Sequence, residues 1–302
     1  MTEGRVLYGI NNLFTVQTAQ GICEARIKGK YLKGITDEYN ALCCGDRVEI
    51  DDNSQITQRL ERKNVFSRFN WKQNRPQAIA ANLDCVLCVV AADSPPLHPR
   101  FLDRLLIACA SGGITAWIIL TKSDLLSDKK QHPLHYYEKM GYRVLHTSAL
   151  EKESITPLRQ ENKGKIVALT GASGVGKSTL INLLRGTDEQ KTGEVNRKFN
   201  RGNHITNYAR MLSRDEGGYW VDTPGVRDLS PVLCGPLDSY YPDFSPHIPH
   251  CEFAHCRHEE ESGCAVRQGV QNGQISQDRY QNYCKLLQEE TLKTKNSCRY
   301  KR

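Results

Sequence analysis

The stretch KIVALTGASGVGKSTLINLL, residues 165–184, decides the fold of this chain. An apolar strand leads into the pattern G-x-x-x-x-G-K-S, and an apolar-periodic helix follows. Glycines let a backbone wrap closely around phosphates, and a helix N-terminus adds positive potential. The spacing predicts a phosphate-binding loop in which Lys177 reaches the β- and γ-phosphates as a catalytic cation and the Ser178 hydroxyl binds Mg²⁺. The loop consists of Gly171, Ala172, Ser173, Gly174, Val175, Gly176, Lys177, Ser178 and Thr179.

A second phosphate motif follows downstream. The segment GGYWVDTPGVRD, residues 217–228, ends a strand at Asp222 and reads D-x-x-G to Gly225. We expect Asp222 to hold Mg²⁺ through a water and the Gly225 N–H to sense the γ-phosphate. The two motifs together predict a nucleoside triphosphatase and leave the base open.

The segment IILTKSDLL, Ile118–Leu126, predicts which nucleotide base the protein binds. Its residues Thr121-Lys122-Ser123-Asp124 match the guanine-reading pattern Asn/Thr-Lys-x-Asp. The Asp124 carboxylate would accept from guanine N1–H and from the exocyclic amine, whereas adenine would leave it unpaired. Lys122 is expected along the base plane, and a loop of Ser148, Ala149 and Leu150 beside the base. Thr121 stands where asparagine is commoner.

The order of these motifs is itself informative, since the base-reading motif precedes the phosphate loop. In a doubly wound sheet every such motif is a loop at the carboxyl end of a strand. Joining the original termini and opening the chain elsewhere leaves all the loops in place. Alternating strands and helices after about residue 70 indicate this sheet. We therefore predict an α/β fold with a circularly permuted P-loop GTPase domain, residues 66–236.

Residues 1–65 read as a separate β domain. Five short strand-like runs, RVLYGI, LFTVQTA, GICEARIK, DRVEID and QITQRLER, favour a small OB-like barrel, and an SH3-like barrel fits nearly as well. Arg26, Lys28, Lys30 and Lys33 would give one rim a positive field suited to RNA. A packing or spacer role is the alternative.

Residues 237–302 contain a cluster of cysteine and histidine before a predicted helix at Ser276–Glu290. The spacing Cys251-x₄-Cys256-x-His258-x₅-Cys264 supplies three thiolates and one imidazole, a closed tetrahedral set for one structural Zn²⁺. His250 and His255 are adjacent competitors for the imidazole role, and reduced core thiols are the alternative. Because the second phosphate motif leads into this block, movement at Gly225 could tilt it.

Composition restricts the class of protein. The 302 residues carry a formal net charge of +7, which favours a polyanionic partner, and the tail KTKNSCRYKR either contacts phosphates or only aids solubility. The apolar runs are too short to span a membrane, and MTEGRVLYGI lacks the features of a signal peptide. We therefore expect a cytoplasmic monomer with no membrane partner.

The order TKSD, SAL, GASGVGKST and DTPG, together with the OB-like block and the Cys/His spacing, resembles the RsgA family of GTPases in small ribosomal subunit biogenesis. The resemblance covers nearly the whole chain. It implies a circularly permuted GTPase that binds GTP, GDP and Mg²⁺, contacts the small subunit and its rRNA during late assembly, and hydrolyses GTP faster on the subunit.

Two catalytic assignments follow from the resemblance alone. The family's first switch contains a Gly-Arg-His-Thr-Thr-Thr-like segment, and residues 202–207 here read GNHITN. The resemblance implies that His204 orients the attacking water, since Val226 follows D-x-x-G where Ras-like enzymes have glutamine. A contact from His204 to rRNA is the alternative. Thr206 is implied for the Mg²⁺ and γ-phosphate contact.

Three other functions remain open from the residues. A P-loop ATPase or kinase would leave Lys122 and Asp124 unexplained. A zinc-containing RNA-binding module would hold nucleotide only structurally. A related permuted GTPase acting on the large ribosomal subunit fits the OB-like block and the zinc cluster less well.

Overall fold

The computed structural model of the chain describes residues 1–28, 38–126, 132, 134–186, 208–225 and 229–299, with side chains up to residue 292. The strands are β1 (Thr2–Ile10), β2 (Leu13–Thr18), β3 (Gly21–Ile27), β4 (Arg47–Ile50), β5 (Gln55–Arg59), β6 (Val65–Asn70), β7 (Arg75–Ala81), β8 (Cys85–Ala91), β9 (Ala116–Thr121), β10 (Arg143–His146), β11 (Ile166–Thr170), β12 (Arg210–Ser213) and β13 (Tyr219–Asp222). The α-helices are α1 (Pro99–Ser111), α2 (His135–Lys139), α3 (Thr156–Glu161), α4 (Lys177–Arg185), α5 (Ala265–Gln271) and α6 (Gln277–Arg299).

The first five strands form a closed barrel in the order β1-β2-β3-β5-β4. β4 closes the barrel as an antiparallel neighbour of β1, and β3 runs parallel to β5. Alternate β-branched residues such as Val6, Val16, Val48 and Ile56 fill the interior. The barrel confirms the OB-like prediction.

A two-stranded sheet of β6 and β7 follows the barrel, and the sequence analysis placed no strand there. It is joined to both neighbours. The Ala81 N–H donates to the Cys44 carbonyl on the barrel side at 2.8 Å, and the Phe69 N–H donates to the Ser230 carbonyl at 2.7 Å. Phe66 packs fully buried in the core of the large sheet.

The large sheet has the order β10-β9-β8-β11-β13-β12, with every pair parallel except β12 with β13. Helices cover both faces, because one core cluster joins the sheet to α1 and α2 and the other joins it to α3 and α4. This burial on both faces explains why β8 is apolar throughout. The chain passes from β10 back across β8 to β11, so the carboxyl ends of β8 and β11 lie at the switch point where ligands bind.

The C-terminal part packs against α1. Ile107 of α1 shares one apolar cluster with Tyr241, Phe244, Tyr283 and Leu286. Within the described residues, no helix is long and apolar enough to cross a membrane.

Candidate functional site

The phosphate loop connects β11 to α4 at the carboxyl edge of the sheet. Gly171 adopts a φ of +155°, and a Cβ there would come within 2.2 Å of the Val89 carbonyl oxygen on β8. The loop can therefore turn this close to the neighbouring strand only with glycine at that position. Ser173, Ser178 and Thr179 are exposed around the loop, and Val175 is buried beneath it.

Lys177 lies at the first position of α4, and its ammonium points into the loop. Its Nζ donates to the carbonyl oxygens of Gly171 at 2.9 Å and Ala172 at 2.7 Å. A Cβ built on Gly225 would lie 3.6 Å from both the Lys177 Nζ and the Ser173 nitrogen. The D-x-x-G segment and the phosphate loop thus meet at one point, which is suited to a terminal phosphate.

Two groups of opposite charge lie around this point, the buried Lys177 and the half-buried Asp222. Burial lowers the pKa of Lys177, and Asp222 opposes that shift. Burial raises the pKa of Asp222, and the positive charges of Lys177 and Arg210 oppose that rise. A site that holds both signs of charge away from water is prepared for phosphate and a cation together.

The donor set fits Mg²⁺. Asp222 offers a carboxylate at the end of β13, and Ser178 offers an exposed hydroxyl on the turn after Lys177, both hard oxygen donors. When bound, the ion would neutralise phosphate charge. His204 and Thr206, assigned by resemblance, lie outside the described residues.

Thr121 ends β9 and joins the base-reading segment to the phosphate loop. Its buried Oγ1 donates to the Val175 carbonyl at 2.5 Å and lies 3.1 Å from the Val90 carbonyl. Lys122, with a left-handed φ of 56°, directs Nζ to the Gly174 carbonyl at 3.3 Å and also bonds the Ser94 carbonyl. The first two residues of TKSD therefore hold the phosphate loop.

Asp124 is exposed at the expected base position. Its Oδ1 accepts a hydrogen bond from the Ser148 Oγ at 2.5 Å, and the Ser148 N–H donates to the Ser154 Oγ at 3.0 Å. The Ser123 N–H donates to the Thr147 carbonyl at 3.1 Å, and Ala149 is exposed beside the carboxylate. The loops that carry Asp124 and Ser148 are thereby bonded to each other, and the Asp124 carboxylate remains exposed.

The four predicted zinc ligands come together. The ligand atoms of Cys251, Cys256, His258 and Cys264 all lie within 4.8 Å of one another. The Nδ1 atom of buried His258 lies 3.6 Å from the Cys251 sulfur and 3.4 Å from the Cys264 sulfur. Three thiols and an imidazole in this arrangement fit a tetrahedral Zn²⁺. His258, not His250 or His255, supplies the ring.

Asp238 is a candidate residue of the zinc site that the sequence analysis did not predict. Its Oδ2 lies 3.3 Å from the His258 Nε2 and orients the ring so that Nδ1 faces the thiols. Carboxylates in this position fix the tautomer of zinc-binding histidines. Asp238 is 20 residues from His258 in sequence, and an isolated aspartate at that separation gives no pattern to detect.

Comparison with known proteins identifies a family that matches this geometry. A family model described as RsgA GTPase matches residues 59–231. Relatives named small ribosomal subunit biogenesis GTPase RsgA include one from Borreliella burgdorferi strain ZS7, 35% identical over 296 residues, and one from Gemmatimonas aurantiaca, 36% identical over 300 residues. Both alignments cover 95% of this chain, with 96% of the first relative and 97% of the second.

Two solved structures are similar in fold to this chain. The crystal structure of YjeQ from Thermotoga maritima is 29% identical with a TM-score of 0.71, and the match covers 95% of this chain and 98% of that one. A structure titled YloQ, a circularly permuted GTPase, is 23% identical with a TM-score of 0.65, covering 96% of this chain and 95% of that one. The second likeness shows the shared fold.

Proposed function

The chain belongs to the RsgA GTPase family and hydrolyses GTP, and we propose that it acts in late maturation of the small ribosomal subunit, which stimulates its hydrolysis. The relatives' printed name supports the subunit as partner. The observation that supports the nucleotide assignment is a pair of hydrogen bonds, from the Ser148 Oγ to the Asp124 carboxylate and from the Thr121 Oγ1 to the Val175 carbonyl, which join the TKSD segment to the Ser148 loop and to the phosphate loop.

We propose that two groups of residues hold the nucleotide. The base side of GTP or GDP is bound by Thr121, Lys122, Ser123, Asp124, Ser148 and Ala149. The phosphate side is bound by Gly171–Thr179 with Asp222 and Gly225. Lys177 stabilises charge that develops during transfer, and Ser178, Asp222 and Thr206 serve Mg²⁺. By the family resemblance, His204 orients water. Cys251, Cys256, His258 and Cys264 bind one structural Zn²⁺.

We propose that the chain has three units with different functions. We propose that the barrel, residues 1–65, and the zinc unit, residues 237–302, grip rRNA, and that the GTPase unit, residues 66–236, controls the grip. The net charge of +7, with Arg26 and Lys28 at the end of β3, supports a polyanionic partner. We expect a monomer that works in the cytoplasm and is released by hydrolysis.

GTP turnover by the full chain, with and without isolated small subunits, tests this proposal. We expect small subunits to accelerate turnover and large subunits at the same concentration to leave it unchanged. Equal stimulation by small and large subunits, or no stimulation by small subunits, would reject the role in small-subunit assembly. Competition of GTP and ATP for a fluorescent guanine nucleotide separates the ATPase alternative, since only GTP should displace it efficiently.

A further inference from the structure

The barrel meets the GTPase sheet at β12, the strand paired with the Asp222 strand. A bulge in β1 shifts its register between Val6 and Tyr8. Bulges re-aim side chains, and here Leu7 and Tyr8 leave the barrel interior and pack against the core of the large sheet. The Cys44 thiol, between β3 and β4, donates to the Leu7 carbonyl at 3.3 Å, and Cys44 shares one core cluster with Met211 of β12. The barrel thus contacts β12 as well as the hairpin of β6 and β7.

Arg210, the first residue of β12, lies between the barrel and the Mg²⁺ carboxylate. It stands directly opposite Asp222 in the antiparallel pair, so the two side chains share a face of the sheet. Its guanidinium carbon lies 5.9 Å from the centre of the Tyr8 ring. Burial raises the pKa of Asp222, and the same cation opposes that rise together with Lys177. One guanidinium therefore interacts with an aromatic ring of one domain and a carboxylate of the other.

We propose that Arg210 is a positioning residue shared between Tyr8 and Asp222, through which the placement of the barrel sets the access of Mg²⁺ to the nucleotide site. While Tyr8 holds the guanidinium, Asp222 is available to Mg²⁺. When β1 shifts, Arg210 turns toward Asp222 and competes with the metal ion for the carboxylate. This inference rests on the proposed function of Asp222 as a Mg²⁺ residue.

The surroundings leave room for such a shift. A cavity of about 130 Å³ lies beside the junction, bounded by Gly9 and Phe14 of the barrel and by Ala209 and Pro224 of the GTPase unit. Ala209 precedes Arg210, and Pro224 belongs to the D-x-x-G motif. Close-packed interfaces resist small displacements, and this open cleft leaves the segments next to Arg210 and Asp222 less closely packed on that side.

The test measures Mg²⁺ affinity by binding rather than turnover. Dissociation of N-methylanthraniloyl-GDP from the full chain is followed by fluorescence across a range of Mg²⁺ concentrations, which gives the half-effective concentration. Tyr8→Leu should raise this concentration about two- to fivefold, the strength of a half-exposed cation–π contact. Tyr8→Phe, which keeps the ring, should match the parent chain. In an Arg210→Met background, Tyr8→Leu should have no effect.

Two outcomes would overturn the proposal: no shift with Tyr8→Leu, or an equal shift with and without Arg210→Met, since the barrel would then act by another route. Thermal unfolding of each variant separates these results from misfolding, and Tyr8→Phe provides the folded reference. Asp222→Asn is the separate arm. If Asp222→Asn leaves the Mg²⁺ dependence of nucleotide dissociation unchanged, the assignment of Asp222 as a Mg²⁺ residue is rejected. If Asp222→Asn shifts this dependence while Tyr8→Leu does not, only the coupling through Arg210 is rejected.

Discussion

Replacing Arg279 by methionine should undock the zinc unit from the GTPase unit. Arg279 of α6 is buried, bonds Asp103 of α1, and donates from Nε to the Asp243 Oδ1 at 2.9 Å. Asp103 also accepts from the Tyr137 hydroxyl at 2.8 Å and from the Asn282 amide at 2.9 Å. The variant keeps the volume of the side chain but leaves two buried carboxylates without their cation.

The expected cost is large because the partner charges stay buried. Breaking a buried pair by removing one partner destabilises by about 3–5 kcal/mol. For a chain of 302 residues that corresponds to a melting temperature lower by about 5–8 °C. Burial already raises the pKa of Asp103, and Arg279 opposes that rise. Without Arg279 the folded-state pKa of Asp103 rises further, so its protonation removes part of the penalty as the pH falls through that value.

Urea and thermal unfolding at about pH 7.5 and about pH 5.5 measure both effects. The matched control is Arg100→Met, which removes a half-exposed pair between the same two helices, Arg100 to Glu289 at 3.2 Å. Such exposed pairs contribute about 0–1 kcal/mol. Equal destabilisation by the two variants, or a penalty for Arg279→Met that does not shrink at the lower pH, would refute the reasoning.

The nucleotide and zinc sites give four more expectations. Thr121→Val should weaken GDP binding about 5- to 100-fold in fluorescence titrations, because a buried carbonyl of Val175 loses its donor. Thr121→Ser keeps the hydroxyl and should retain the affinity of the parent chain. An affinity of Thr121→Val equal to that of the parent chain would contradict this reasoning. Asp124→Asn should relax the preference for guanine in competition with other purine nucleotides, without unfolding the chain. Asp238→Asn should lower zinc affinity about 10- to 100-fold against a competing chelator, and unchanged retention would exclude its orienting role. His204→Ala should slow subunit-stimulated turnover and spare GTP binding, and unchanged turnover would remove the assignment.

The elements that the sequence predicted are those set by local patterns. The phosphate loop is recognisable because its strand, glycines and helix N-terminus are contiguous in the sequence. The barrel strands are recognisable because their apolar residues alternate. The hairpin of β6 and β7 was missed because Pro76 and a run of polar residues obscure the alternation at Arg68–Gln77. Its stability comes instead from neighbours distant in sequence, such as Cys44 and Ser230.

The parts of the site that could not be predicted depend on long-range contact. Thr121 was recognisable as a motif residue, but its bond to Val175 exists only once β9 and the phosphate loop share an edge. Arg210 and Tyr8 lie about two hundred positions apart, and a bulge in β1 decides that they meet. One sequence without an alignment contains no signal for such pairs.

The permutation places the zinc unit directly after the D-x-x-G motif, and the structure bears on how far that unit could tilt. The segment from Leu229 to Val232 is attached to α1, since Arg104 donates to the Leu229 carbonyl at 3.2 Å and Ser111 donates to the Val232 carbonyl at 2.6 Å. Together with the Arg279 network, these bonds join the zinc unit and α1 into one packed body. A tilt driven from Gly225 would have to break buried charge pairs, whereas a shift of the barrel would have to disturb its contact with β12 and neutral hydrogen bonds such as that from the Ala81 N–H to the Cys44 carbonyl. We therefore expect nucleotide-dependent movement at the barrel junction to exceed that at the zinc unit, and fluorophore pairs spanning each junction would measure the difference.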